Sequence, residues 1–291
     1  MTNRSLPVGA VLLAGFLWGT IGIFVRRYSA LGMDSWQIVG IRCVVTVIIL
    51  FIYLFFFQRE QMRIRMKDLW CFVGTGIFSI LFFNLCYFRA IVLTDLAVAA
   101  VLLYTAPAFV MILSYFLFRE PLSPKKGIAL VMAFLGCTLV TGILGKAVAV
   151  TPAGIACGLG AGFGYALYTI FGRYALDRGY SSMTITFYTF LMASVGVLPF
   201  MKLKTTVTAL TGNPGMLLFS LFFVLASTVL PYFVYTWGLL YVENGMASII
   251  ASIEPVVASC LGVLVFGEFM TLSEMAGIFL VLGSIILCNI R

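Results

Sequence analysis

The second half of this 291-residue chain reproduces the first at a fixed displacement, and each copy holds five apolar stretches of membrane-spanning length. Ala14-Gly15-Phe16-Leu17-Trp18 lies over Ala161-Gly162-Phe163-Gly164-Tyr165 at an offset of 147. At that offset Ile23 and Phe24 meet Ile170 and Phe171, Arg26 meets Arg173, Gly32 meets Gly179 and Ile38 meets Ile185. Farther along the offset becomes 148: Tyr87 meets Tyr235, Asp95 meets Glu243, Pro107 meets Pro255 and Glu120 meets Glu268. The odd number of crossings is the constraint. A unit that crosses a bilayer five times ends on the opposite side, so its duplicate enters upside down. The pattern predicts an all-α membrane protein of ten transmembrane helices, arranged as two inverted five-helix repeats over residues 1–144 and 152–290. Inverted repeats about a midplane site suit a carrier that rocks between two open states.

Composition agrees. The chain is 63% hydrophobic and only 10% charged, with mean hydropathy +1.14, whereas soluble domains run about 25% charged. Its lipid partner is therefore written into its composition. The formal net charge of +8 does not imply nucleic acid, because the basic residues fall in short loops, where they set orientation. All seven cysteines lie within apolar segments, none forms a CxxC pair, and histidine is absent. Neither a disulfide framework nor a metal site is expected, and no cofactor motif is present. The N-terminal apolar run after Arg4 has its own copy in the second half and no A-x-A pattern follows it, so it reads as the first span rather than a cleaved leader.

At about 20 residues per crossing, the spans are expected at 8–25, 36–57, 69–91, 94–118, 127–144, 152–175, 182–200, 215–240, 245–267 and 272–290. Connections are short except 58–68 and 201–214, and only the stretch 145–151 separates the halves. With the N-terminus cytoplasmic, the inner segments carry Arg4, Arg59, Arg63, Arg65, Lys67, Arg119, Lys125, Lys126, Arg173, Arg178 and Arg291. The outer ones carry Arg26, Arg27, Arg89, Lys146, Lys202 and Lys204, a bias that places both termini inside.

Two charges sit well inside apolar spans, away from their ends. Arg42, between Ile41 and Cys43, either snorkels to the outer interface, bonds helix carbonyls, or faces a cavity where it would meet a substrate carboxylate or a counter-ion. Glu254 lies near the middle of the ninth span, directly before Pro255, and its first-half counterpart is Ala106. A carboxylate at that depth can hold a cation, carry a coupling proton, pair with Arg42 or, protonated, simply bond a helix carbonyl. Pro107 and Pro255 occupy matching places, where each removes a helix hydrogen bond and kinks its span. Aromatic residues interleave with these positions: Trp18, Tyr87, Tyr104, Tyr165, Tyr168, Tyr232, Tyr235 and Trp237, with Asn84 one turn before Tyr87. Interfacial belts use the same residue types, but Trp18 and Tyr165 are repeat mates at mid-span. Gly15-x-x-x-Gly19, Gly158-x-x-x-Gly162 and Gly160-x-x-x-Gly164 predict close helix approach. Asp95 and Glu243 read as helix N-caps, and Glu120 and Glu268 as residues at helix ends.

The strings YFRAIVLTDLAVAAVLLYTAPAFV, then FREPLS, and YTWGLLYVENGMASIIASIEPVVASCLGVLVFGEFMT resemble the two halves of EamA-type carriers of the drug/metabolite transporter superfamily. The resemblance covers nearly the whole chain. It implies ten helices, cytoplasmic termini, and a central cavity lined by the first, third, fourth, sixth, eighth and ninth helices. It also implies transport of small metabolites across the bacterial inner membrane, with Arg42, Glu254 and Pro255 at family positions. The expected activity is secondary transport of small polar metabolites, amino acids or related compounds, in the outward direction. The alternative is a carrier of cationic or quaternary-ammonium solutes, held by Glu254 and aromatic faces. An intramembrane hydrolase would need a motif such as H-E-x-x-H or G-x-S-x-G, which the sequence lacks, and a channel would make no use of the inverted symmetry. Substrate identity, coupling ion and oligomeric state have no sequence signal.

Overall fold

A computed structural model of the chain describes residues 5–143, 150–212 and 214–290. Among them every regular element is helical. The long helices are α1 Ser5–Ala30, α2 Ser35–Phe57, α3 Met66–Leu93, α4 Leu96–Phe118, α5 Pro124–Val140, α6 Pro152–Asp177, α7 Ser182–Phe200, α8 Pro214–Gly238, α9 Asn244–Phe266 and α10 Leu272–Asn289. Nine of these are long and apolar enough to cross a membrane. The other, α5, has 17 residues, about 26 Å at the helical rise, at the lower limit for the hydrocarbon core. Arg4, Lys146 and Arg291 of the loop charge balance, and most of the 145–151 junction, lie outside the described residues.

Polar residues at the helix starts let these spans follow one another through short turns. The Asp34 carboxylate accepts from Gln37 N while the Gln37 side chain accepts from Asp34 N, a reciprocal box that Thr271 and Glu274 repeat at α10. Asp95, Ser123, Thr151 and Ser181 cap α4 to α7 in the same sense, with Pro124 and Pro152 in the first turns of α5 and α6. Glu243 differs from the cap expected of it. Its carboxylate pairs with Lys126, and the α9 N–H groups are taken instead by Glu120 across the fold.

Two spans are interrupted where the prolines fall. α4 pauses at Tyr104–Thr105 before a second segment, Ala106–Phe118, and α9 pauses at Ser252–Ile253 before Glu254–Phe266. Each proline sits in the first turn of the second segment, where its missing N–H costs nothing. α1 breaks at Thr20. α3 and α8 widen to i→i+5 turns over Gly74–Leu81 and Leu225–Val229, places that overlap at the repeat offset; such wide turns cluster at functional sites.

Helix association in lipid rests on close van der Waals fit rather than on hydrophobic drive. A Cβ on Gly15 would sit 2.9 Å from the Ala251 carbonyl, and one on Gly19 2.7 Å from the Glu254 carbonyl, so α1 lies directly on the interruption of α9. Gly136 and Gly277 meet reciprocally between α5 and α10, each Cβ position under 3 Å from the other's carbonyl. α6 uses two glycine faces: Gly158 and Gly162 against α4, Gly160 and Gly164 against α3. The 201–214 connection contains a helix, Leu203–Thr211, pinned to the start of α2 by Gln37 Nε2 bonds to Thr205 and Thr206.

Candidate functional site

The interrupted helices surround a cavity of about 430 Å³. It reaches Val25, Ser35, Ile91 and Leu96, at the ends of α1 and α3 and the starts of α2 and α4. Trp18, Arg42, Asn84, Tyr87, Tyr104, Tyr165 and Glu254 all line it, joined by Phe83 and Tyr232. Pro107 and Pro255 position two of these: the pause before Pro107 presents Tyr104, and the pause before Pro255 presents Glu254 at the positive N-terminus of a half-helix.

Not every expected residue reaches the space. Tyr168 and Tyr235 lie one layer deeper, 5% and 3% exposed, with their hydroxyls bonded to Thr236 at 2.7 Å and Thr169 at 2.8 Å. Both line a crevice of about 20 Å³ behind Trp18, and Tyr235 also lines one of similar size beside Tyr104 and Glu254. Trp237 does not line the cavity. It packs on Tyr241 with ring centroids 5.2 Å apart, because two residues of helix rotate it about 200° away from Tyr235. Phe83, Ser227 and Thr228 contribute without having been candidates. The polar pair Ser227-Thr228 inside an apolar span was the one available signal.

Arg42 is anchored rather than free. Its Nε donates to Thr228 Oγ1 at 3.1 Å and its Nη2 to the Ser227 carbonyl at 3.3 Å, both on the widened turn of α8. That turn turns its polar groups toward α2, and Thr189, the repeat mate of Arg42, bonds the matching turn of α3 through Thr75 at 2.6 Å. Glu254 accepts from the Tyr165 hydroxyl at 3.3 Å. Among the described residues neither Arg42 nor Glu254 makes an ion pair. The cavity thus holds one positive and one negative group, separately tethered, within an aromatic wall. Trp18 packs edge-on against Tyr165 and Tyr232 with centroids at 6.3 and 5.2 Å, and its buried Nε1–H has no partner among the described residues. No cluster of His, Cys, Asp and Glu among the described residues could hold a metal.

The sequence profile of the EamA-like transporter family matches residues 6–142 and again residues 152–290. The chain belongs to that family. It is a multi-pass membrane transporter, similar to an uncharacterized transporter of Archaeoglobus fulgidus at 28% identity over 282 residues, 96% of this chain and 94% of the relative. The uncharacterized transporter YxxF of Bacillus subtilis is 24% identical, covering 99% of this chain and 91% of its own. The uncharacterized inner membrane transporter YicL of Salmonella typhimurium is also 24% identical, over 96% and 94%. A solved crystal structure superposes on this transporter with a TM-score of 0.81 over 99% of this chain and 97% of that one, at 14% identity, a likeness of fold.

Proposed function

We propose that this transporter is a secondary carrier of small zwitterions, amino acids or related metabolites, working by alternating access across the bacterial inner membrane in the outward direction. The observation that carries the reading is the placing of Arg42 and Glu254 in one aromatic-walled cavity with no ion pair between them. An α-carboxylate would meet the guanidinium, an ammonium would meet Glu254 and the aromatic faces, and the Trp18 N–H would take a further acceptor. Glu254 is also the candidate site for a coupling proton, exchanged against the substrate's ammonium. In this reading α5 is a fifth crossing of the first repeat, so that residues 1–144 and 152–290 form inverted halves and both termini lie in the cytoplasm. The cavity then opens outward.

A cation carrier is the second reading, favoured by Arg42 already donating twice to α8. Thermal stabilisation of the purified transporter separates the two, because a ligand that binds the fold stabilises it. A zwitterionic amino acid should stabilise it, and its methyl ester and its N-acetyl derivative should both fail. Stabilisation by the ester as strong as by the parent assigns the site to cations, and stabilisation by none of a full panel of amino acids rejects the zwitterion reading.

A further inference from the structure

The two repeats carry the same pair of latching groups at opposite ends of the molecule, in different positions. Glu120 and Glu268 are repeat mates, each following a left-handed residue that ends its helix, Arg119 at φ 55° and Gly267 at φ 68°. Their own N–H groups close equivalent bonds, to the Ser114 and Gly262 carbonyls, both at 3.2 Å. The backbone therefore presents the two carboxylates alike. Their partners differ. Glu120 accepts from Asn244 N at 2.8 Å and Gly245 N at 3.2 Å, so it clamps the start of α9. Glu268 makes no such bond to the mates of those residues, Leu96 and Ala97; it pairs with Arg26 at 2.6 Å, beneath which lies the Phe266 ring. The arginines are exchanged too. Arg173, the mate of Arg26, donates to the Leu239 carbonyl at 2.6 Å, tying α6 to the end of α8, and pairs with Asp177 at 3.1 Å on its own helix. The mate of Leu239 is Ile91, at the open cavity.

Burial follows the same division. Asn244 is 0% exposed whereas Leu96 is 61% exposed, so the clamped end is the sealed one. Glu120, Arg173 and Asp177 line one surface crevice, so Glu120 and Arg173 share the space in which the pair would form. We propose that Glu120 and Glu268 are alternating latches of the transport cycle: each binds the N-terminus of the opposite half's broken helix when its own end is shut, and the neighbouring arginine when that end opens. In the opposite state Glu268 caps Leu96 and Ala97, Arg26 bonds the Ile91 carbonyl, and Glu120 releases α9 to pair with Arg173. The exchange keeps both carboxylates and both arginines partnered in either state. The inference rests on the alternating-access reading of the two repeats.

Its test reads accessibility and needs no substrate. Ala258 is exposed one turn beyond Glu254, whereas its mate Val110 is 1% exposed. A cysteine placed at either position in the full-length protein is titrated with a membrane-impermeant maleimide, with the parent protein as blank for the seven native cysteines. Glu120→Gln keeps shape but weakens the sealed-end cap, and should slow labelling of Ala258→Cys by about five-fold, the worth of one helix cap, while speeding that of Val110→Cys. Adding Glu268→Gln should reverse both changes, because it weakens the opposite latch. Unchanged labelling in Glu120→Gln, or no reversal in the double variant, overturns the latch. Should Val110→Cys fail to elute as folded protein, the Ala258 reporter decides alone. The outcomes also separate from the carrier reading: labelling that shifts and reverses without counterflow of any zwitterion keeps the latch and removes the substrate assignment.

Discussion

Replacing Glu254 by Gln tests the centre of the site with little change of shape. The side chain accepts one hydrogen bond, from Tyr165 at 3.3 Å, and makes no ion pair among the described residues. A carboxamide oxygen can accept that bond equally well, so the fold should persist. What disappears is the charge-assisted bond to a substrate ammonium, worth about 1.5–3 kcal/mol. At 1.4 kcal/mol per decade this is roughly a ten- to hundred-fold rise in Kd for a zwitterion. Isothermal titration of the two purified proteins measures it directly. Counterflow in proteoliposomes adds a second readout, since a side chain that cannot titrate should leave exchange independent of external pH. Binding of Glu254→Gln within two-fold of wild type, with an unaltered pH profile, would refute the role given to this carboxylate.

Arg42→Gln should lower affinity for a zwitterion toward that of its methyl ester, as measured by the same titration. Gly19→Ala places a methyl 2.6 Å from Val257 Cβ and 2.7 Å from the Glu254 carbonyl, and should cost about 1–3 kcal/mol by overpacking. Gly22→Ala, with nothing within 4 Å, is the control, and thermal unfolding compares them. Asp68 is 4% exposed and accepts from Arg65 at 2.7 Å, Arg178 at 3.1 Å and the Tyr180 hydroxyl at 2.8 Å. Asp68→Ala should destabilise by about 1–3 kcal/mol, a figure held down by the partial exposure of both arginines; unfolding within 0.5 kcal/mol of wild type, on the order of surface noise, would contradict it.

The spans and their internal matches were legible because membrane crossing demands long apolar runs, and because matching prolines and acids survive in both copies. Glu254 was legible as a charge where none is cheap. Which way each helix faces was not. The first segments of α1 and α8 are apolar all round, and Tyr235 and Trp237 are both aromatic, so residue type does not tell them apart; Gly238, packed on Val11, helps set the rotation. The widened turns of α3 and α8 have no residue signature, since an i→i+5 bond adds no distinctive side chain; hence Ser227 and Thr228 stayed hidden as the anchors of Arg42. The cap supplied by Glu120 to α9 spans 124 residues of sequence, beyond any local rule, while the nearer Glu243 looked the part.

The division of charge between the halves has an ancestral consequence. Arg42 faces Thr189 across the duplication, and Glu254 faces Ala106, so each half contributes one charge and a neutral counterpart. An unmodified duplicate of either half would have set two arginines, or two glutamates, around a single cavity, where like charges repel. The joined chain, with one charge from each half, holds a site that is neutral overall. Neither half, paired with a copy of itself, can rebuild the dipole that the joined chain holds.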